Sequence, residues 1–176
     1  AGDREETPSH GAVFDRQVIE LVGDAGVAAR AAFTAAQAGG WRARVVTTEL
    51  EGEARDVAAD LVAAAAELAM GEMLVLAGET TVTVTGEGRG GRNQELALAA
   101  SIVLDGRDDI MVLSLGTDGI DGMSTAAGGF GNGSAVARGA TTGHDAAEYL
   151  ARNDSGPFLA SIGDAVVCGP TGTNVG

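Results

Sequence analysis

The stretch GETTVTVTGEGRGGRNQELALAASIVL, Gly78 to Leu104, decides the fold class. Thr80 to Thr85 alternates threonine and valine, which puts Val82 and Val84 on one face of a strand. Gly86-Glu87-Gly88-Arg89-Gly90-Gly91 breaks that alternation, and Asn93 to Leu104 resumes as an apolar-faced helix. Strand, glycine loop and helix in succession are the building unit of an α/β domain.

Working outward repeats the alternation. Towards the N-terminus lie a strand at Met73–Ala77, parted from the next by Gly78 and Glu79, and a long helix over Gly52–Met70 stopping at Gly71. Before these come a β-branched strand at Arg44–Thr48 and an alanine-rich helix over Gly26–Ala38 ended by Gly39 and Gly40. A short apolar run, Val18–Val22, precedes them, with Gly23 and Asp24 as a turn or cap. Towards the C-terminus, Ile110–Leu115 is continuously apolar and is expected to be a strand buried on both faces. Gly116–Gly133 carries seven glycines and reads mostly as loop. Short helices at Ser134–Gly139 and His144–Arg152 and a last strand at Ala165–Cys168 complete the pattern. The expectation is a layered α/β domain with a mixed, largely parallel sheet flanked by helices. It takes residues 1–176 as one unit, in which 1–70 form lead-in βα units and 71–176 carry the loops.

Composition excludes several functions. The net charge is −14, from 25 acids against 11 bases, and every base is arginine. Such a field repels nucleic acid and anionic membranes. Without lysine, this chain supplies neither a Walker lysine nor a Schiff base. The lone cysteine, Cys168, cannot form an internal disulfide; it reads as a small buried hydrophobe in a cytoplasmic protein. His10 and His144 have no partners at metal-ligand spacing and read as surface residues.

Three loops carry candidate chemistry. In the first, glycines let backbone approach a ligand, the start of the following helix offers unpaired amides, and Arg89 and Arg92 add guanidinium forks suited to phosphate or carboxylate. The competing reading is a tight turn that needs glycine for conformation alone. Gly86, Gly88 and Gly91 also satisfy G-x-G-x-x-G, but the acid expected about twenty residues on is missing, Asp118 lying too far along. A nicotinamide-dependent reductase is therefore the runner-up. The second loop, GTDGIDG at Gly116–Gly122, brings Asp118 and Asp121 just past a strand, either to hold Mg²⁺ or a substrate hydroxyl, or simply as two Asp-Gly turns. The third, GPTGTNVG at Gly169–Gly176, offers Thr171, Thr173 and Asn174 to phosphate oxygens, or is a glycine-rich tail. Glu53 and Arg55 open the long helix, and Asn153 with Asp154 makes a turn or cap.

The order of these motifs resembles the MOFRL domain of the glycerate 2-kinase family. GETTVTVTGEGRGGRNQELALA, GTDGIDG, Asn153-Asp154-Ser155 and CGPTGTNV carry the resemblance, with Glu6-Thr7-Pro8, the helix after VIELVGD and LEGEAR at Leu50–Arg55 adding to it. The resemblance implies ATP-dependent phosphorylation of D-glycerate to 2-phosphoglycerate, in a family long labelled hydroxypyruvate reductases. It implies an enzyme about twice this length, with an active site facing a Rossmann-like N-terminal domain that bears an essential lysine. The chain is accordingly expected to be a fragment or a stand-alone relative, with glycerate and nucleotide as ligands, ATP and Mg²⁺ as cofactors, and a homodimer compatible. A truncated, non-catalytic ligand-binding domain is a further alternative. By resemblance, Arg92 clamps the glycerate carboxylate or a transferring phosphoryl group, Asp118 acts as base or orienter for the 2-hydroxyl and Asp121 supports Mg²⁺. Gly88, Arg89, Gly90, Gly91, Asn93, Glu95, Thr117, Thr171, Thr173 and Asn174 are the expected binding residues.

Overall fold

The structure is a computed structural model that describes residues 22–175, so Glu6-Thr7-Pro8, His10 and nearly all of the Val18–Val22 run lie outside the described residues. Helix α1 (Ala25–Ala38) starts at Asp24, whose carboxylate accepts a 2.8 Å bond from the Val27 amide. That cap satisfies one of the four unpaired amides at the helix start. Strand β1 (Arg42–Glu53), helix α2 (Ala54–Ala65) and strand β2 (Glu72–Thr81) follow as a β-α-β unit, with β1 and β2 parallel and α1 against both.

Two expectations change here. Gly52 and Glu53, expected to open the long helix, stay extended and pair with Thr80 and Thr81, so α2 starts only at Ala54; it ends at Ala65, short of the expected Met70. Gly52 sits at φ +124°, outside helical geometry. The two strands expected at Met73–Ala77 and Thr80–Thr85 are one strand through Gly78, ending at Thr81. Beyond Thr81 there is no β1 left to pair with. The Thr83 amide turns instead to the Glu53 carboxylate, at 2.9 and 3.1 Å.

Helix α3 (Arg92–Val103) is the centre of the molecule. Gln94 to Ser101 is buried without a break, and the helix touches α2, β2, β3, β4, α4, α5 and α6. Neighbours on every side explain why its apolar residues show no single stripe. One side joins Val57, Ala58 and Val62 of α2 in a core with Leu96, Ala100 and Leu104; the other joins Phe158 and Leu159 through Ala97 and Leu98. Each fully buried leucine or phenylalanine here stabilises by about 1.5–3 kcal/mol.

A second sheet lies across α3: β3 (Met111–Leu115), β4 (Gly128–Asn132) and β5 (Ala165–Val166), in the order β3-β4-β5 and antiparallel throughout. The layered α/β class holds, with the parallel part confined to β1 and β2. Strand β4, GGFGN, falls inside the segment expected to be loop. Its glycines are a packing requirement. A Cβ on Gly131 would sit 2.6 Å from the Ala97 carbonyl oxygen and 2.9 Å from the Ala100 methyl, so the strand reaches α3 only with bare backbone. Strand β3 is an edge, and its expected burial on both faces fails: Val112 and Ser114 turn to α3, while Met111 (65% exposed), Leu113 and Leu115 face outward. The last strand stops at Val166, opposite Gly128, leaving Cys168 exposed rather than buried.

Helices α4 (Ala135–Thr141) and α5 (Ala146–Ala151) match expectation approximately. Helix α6 (Ser155–Ile162) was not expected; it begins directly after the Asn153-Asp154 turn. Among the described residues no helix is long and apolar enough to cross a membrane. Replacing Gly131 by alanine is expected to lower unfolding stability by about 1–3 kcal/mol through overpacking against α3. Denaturant titration measures this; an unchanged midpoint would contradict the close approach.

Candidate functional site

The start of α3 meets three loops. Its first amides need acceptors, and burial denies them water. Asp121, 2% exposed, supplies them: Oδ1 accepts from the Asn93 amide and side-chain Nδ2, both at 3.1 Å, and Oδ2 accepts from the Gln94 amide at 2.8 Å. Asn93 Oδ1 in turn takes a 2.7 Å bond from the Ser114 hydroxyl on β3. The anion expected at this helix terminus is thus the protein's own carboxylate, held where the helix dipole favours negative charge. Asp121 and Asn93, read as metal and substrate residues, are committed to this network.

The glycine loop is likewise closed against the chain itself. The Thr85 and Gly86 amides donate to Asn153 Oδ1 at 2.8 and 2.9 Å, Gly88 donates to the Arg152 carbonyl at 3.0 Å, and Arg89 donates to Asp154 Oδ1 at 2.8 Å. The Gly156 amide returns a 2.9 Å bond to the Arg89 carbonyl. The glycines permit this contact: a Cβ at Gly86 would lie 2.3 Å, and one at Gly88 2.5 Å, from the Arg152 carbonyl oxygen. At Gly90 it would meet the Ser155 hydroxyl and at Gly91 the Asp121 carboxylate. Gly88, Gly90 and Gly91, expected to cradle a ligand, cradle the 152–156 segment and Asp121. Glu95, expected to bind substrate, is 2% exposed and faces inward; Oε1 takes Arg55 Nε at 3.0 Å and Oε2 takes Asn153 Nδ2 at 3.0 Å.

The aspartate and threonine loops clasp each other. Thr171 and Thr173 direct their hydroxyls to the Thr117 carbonyl at 2.5 and 3.1 Å, and the Thr171 amide donates to the Asp118 carbonyl at 3.0 Å. Thr117 Oγ1 accepts from the Val175 amide at 3.2 Å. These threonines, expected to donate to phosphate, tie loop to loop. The Asp118 carboxylate closes a turn by accepting from the Ile120 amide at 3.1 Å, which occupies only one of its oxygens.

Four expected residues remain turned outward. Arg92 is paired with Glu79 at the end of β2, at 2.9 Å, and both side chains are substantially exposed. An exposed pair of this kind is worth little and yields readily to a stronger acceptor. Arg89 lines a groove of about 380 Å³ with Glu87, Gly88, Arg152, Asp154 and Pro157. Asp118 is half-buried and Asn174 exposed. Among the described residues no group of three or more His, Cys, Asp or Glu side chains is placed to hold a metal. Both Asp121 oxygens are taken by the start of α3, so holding magnesium there would break that cap.

The MOFRL family profile matches residues 72–176, more than half of the chain. The chain belongs to the MOFRL family. It is 38% identical to a D-glycerate 2-kinase of Thermotoga maritima over 97% of its own length and 42% of that protein's. It is 36% identical to a glycerate 2-kinase of Pyrococcus horikoshii, over 88% of this chain and 37% of the relative. A crystal structure of the Thermotoga maritima glycerate kinase superposes with a TM-score of 0.85 at 39% identity, covering 90% of this chain and 40% of that one. The chain thus spans about two fifths of these relatives.

In this MOFRL chain the sequence reading missed Asn153, Arg55, Ser114 and Glu79 as partners of the site. No spacing signal joins Asn153 to a loop nearly seventy residues earlier. The pair Asn153-Asp154 read only as a turn or cap.

Burial pushes the Asp121 carboxyl above its ordinary value; the bonds from Gln94 and Asn93, and the nearby Arg92, pull it only part of the way back. The folded protein therefore takes up this proton at higher pH than the unfolded chain. Its contribution to stability is full below the ordinary carboxylate value and is lost as pH rises through the raised one. An NMR carboxyl titration should place Asp121 above the ordinary aspartate midpoint of about 3.9. Asp121→Ala is expected to cost about 1–3 kcal/mol, because buried amides lose their acceptor. Asp121→Asn should destabilise too, since its NH₂ must face a donor. Unchanged unfolding midpoints in both variants would contradict the capping role.

Proposed function

We propose that this chain forms one wall of the active site of a cytoplasmic glycerate 2-kinase, which transfers the γ-phosphoryl group of ATP to the 2-hydroxyl of D-glycerate. The observation that carries the reading is the set of side chains left outward around the start of α3. Arg92, Arg89 and Asp118 stand beyond the C-terminal ends of β2 and β3, where open α/β sheets place their ligands. Similarity to glycerate 2-kinases along nearly the whole chain supports it.

In this reading Arg92 exchanges Glu79 for the glycerate carboxylate or the transferring phosphoryl group, and its guanidinium fork offsets the charge that spreads over the phosphoryl oxygens. Asp118, through its unengaged oxygen, accepts a hydrogen bond from the substrate 2-hydroxyl and takes its proton as the new O–P bond forms. Asn174 lies on the phosphate side. ATP would bring the phosphoryl group, and a bound Mg²⁺ would neutralise charge on its phosphates. The lysine that the relatives' extra length would supply lies outside this chain.

The reductase reading is weaker on the same geometry. A dinucleotide pyrophosphate bound by G-x-G-x-x-G needs free loop amides and an open helix terminus. Here Thr85, Gly86, Gly88 and Arg89 already donate within the chain, and Asp121 fills the terminus of α3.

The full-length protein, given D-glycerate, ATP and Mg²⁺, is expected to release ADP and 2-phosphoglycerate; NADH oxidation with hydroxypyruvate and no ADP would overturn the kinase. Arg92→Ala should lower kcat by about 10²-fold, the scale for losing one donor to a developing charge. Its unfolding midpoint should barely move, because the side chain is exposed.

A further inference from the structure

Asn153 is the one non-glycine residue with positive φ, 56°, among the described residues. A turn that needs only this backbone shape is served at least as well by glycine. The side chain must therefore be accounted for separately, and every polar atom of it is engaged. Oδ1 accepts from the Thr85 and Gly86 amides at 2.8 and 2.9 Å and from the Thr85 hydroxyl at 3.3 Å. Nδ2 donates to Glu95 Oε2 at 3.0 Å and to the Thr83 carbonyl at 3.3 Å. Behind it, Glu95 Oε1 takes both Nε and Nη2 of Arg55, at 3.0 and 2.5 Å, and Arg55 reaches the Leu150 carbonyl at 3.4 Å.

Three separate elements are joined by this chain of bonds. Arg55 opens α2, Glu95 lies in the first turn of α3, and Asn153 ends the α5 segment just ahead of α6. Glu95 is buried and charged, which is tolerable only with both oxygens satisfied. Its position then fixes which way the Asn153 amide points: the NH₂ meets the carboxylate, so the oxygen must meet the loop. Glycine only permits the loop to lie against Arg152, where the Gly88 amide bonds the Arg152 carbonyl at 3.0 Å; the Thr85 and Gly86 amides are placed by Asn153. The Arg89 backbone is the last part of the loop to be tied, through Asp154 one residue after Asn153.

We propose that Arg55, Glu95 and Asn153 form a positioning triad that holds the Thr85–Arg89 loop in the place where Arg89 and Arg92 can engage a substrate anion. None of the three touches the ligand. The inference rests on the reading of this face as the ligand face, but its mechanical half does not need that reading.

The test uses the full-length protein with Asn153→Gly, which keeps the backbone shape and removes the amide, and Asn153→Asp, which keeps the acceptor and sets an oxygen against Glu95. Hydrogen exchange and steady-state kinetics are measured together. In Asn153→Gly the Thr85 and Gly86 amides should exchange about tenfold faster or more, the scale of one lost hydrogen bond, while Asn93 and Gln94, held by Asp121, stay protected. KM for D-glycerate or ATP should rise by a larger factor than kcat falls, with Asn153→Asp intermediate. Unchanged loop exchange, or exchange raised equally in α3, overturns the triad. So does a loosened loop with unchanged KM, because the loop then positions nothing. Exchange is read without turnover, so an unmutated protein that fails to phosphorylate glycerate counts against the kinase reading alone.

Discussion

The carboxylate of Asp121 on the amides of Asn93 and Gln94 is the contact on which the rest of the site depends. Helix α3 is buried from Gln94 to Ser101, so its first amides cannot be left to solvent. A local cap is unavailable because the N-cap is Gly91, which has no side chain. The acceptor must come from elsewhere, and it arrives on the loop after β3. That need draws in Gly116–Gly122, which carries Thr117 and Asp118; these in turn hold the 171–175 segment. Gly91 is bare because Asp121 lies against it. One unsatisfied helix end thus organises three loops.

The same contact changes what the glycine-rich loop does. An anion site at a helix terminus works by offering amides, and here those amides are spent on an internal carboxylate and on Asn153. In the proposed kinase, recognition of an external anion would fall to side chains around the rim, chiefly Arg92 and Arg89. In a chain of net charge −14, these guanidinium groups are local exceptions to the field around them. Arg92 is paired with Glu79, and an exposed pair of this kind costs little to break.

Much of the fold was legible because periodicity reports burial. The extents of α1, α3 and β3 lie within a residue of those expected at each end. The failures have specific causes. Strand β4 is GGFGN, where glycine reports the nearness of α3 rather than a loop. Gly52 and Glu53 read as the start of a helix, yet pairing with Thr80 and Thr81 keeps them extended. Met111, Leu113 and Leu115 look like a strand covered on both sides, but in the described residues helices lie on one face only. The loops that carry the candidate residues do meet: Asp121 bonds the amides of Asn93 and Gln94, and Thr171 and Thr173 bond the Thr117 carbonyl. Residue roles were harder to read, because an aspartate that caps a distant helix and one that faces substrate look alike in sequence. Asn153 was legible only as a turn or cap, since its partners in the glycine loop lie nearly seventy residues away.

A crystal structure of the full-length protein with 2-phosphoglycerate bound tests the central claim most directly. The account predicts that the ligand's phosphate or carboxylate is met by Arg92 or Arg89, with Asp121 still within hydrogen-bond distance of the Asn93 and Gln94 amides. A phosphate seated on those two amides, with the Asp121 carboxylate swung away, would contradict it.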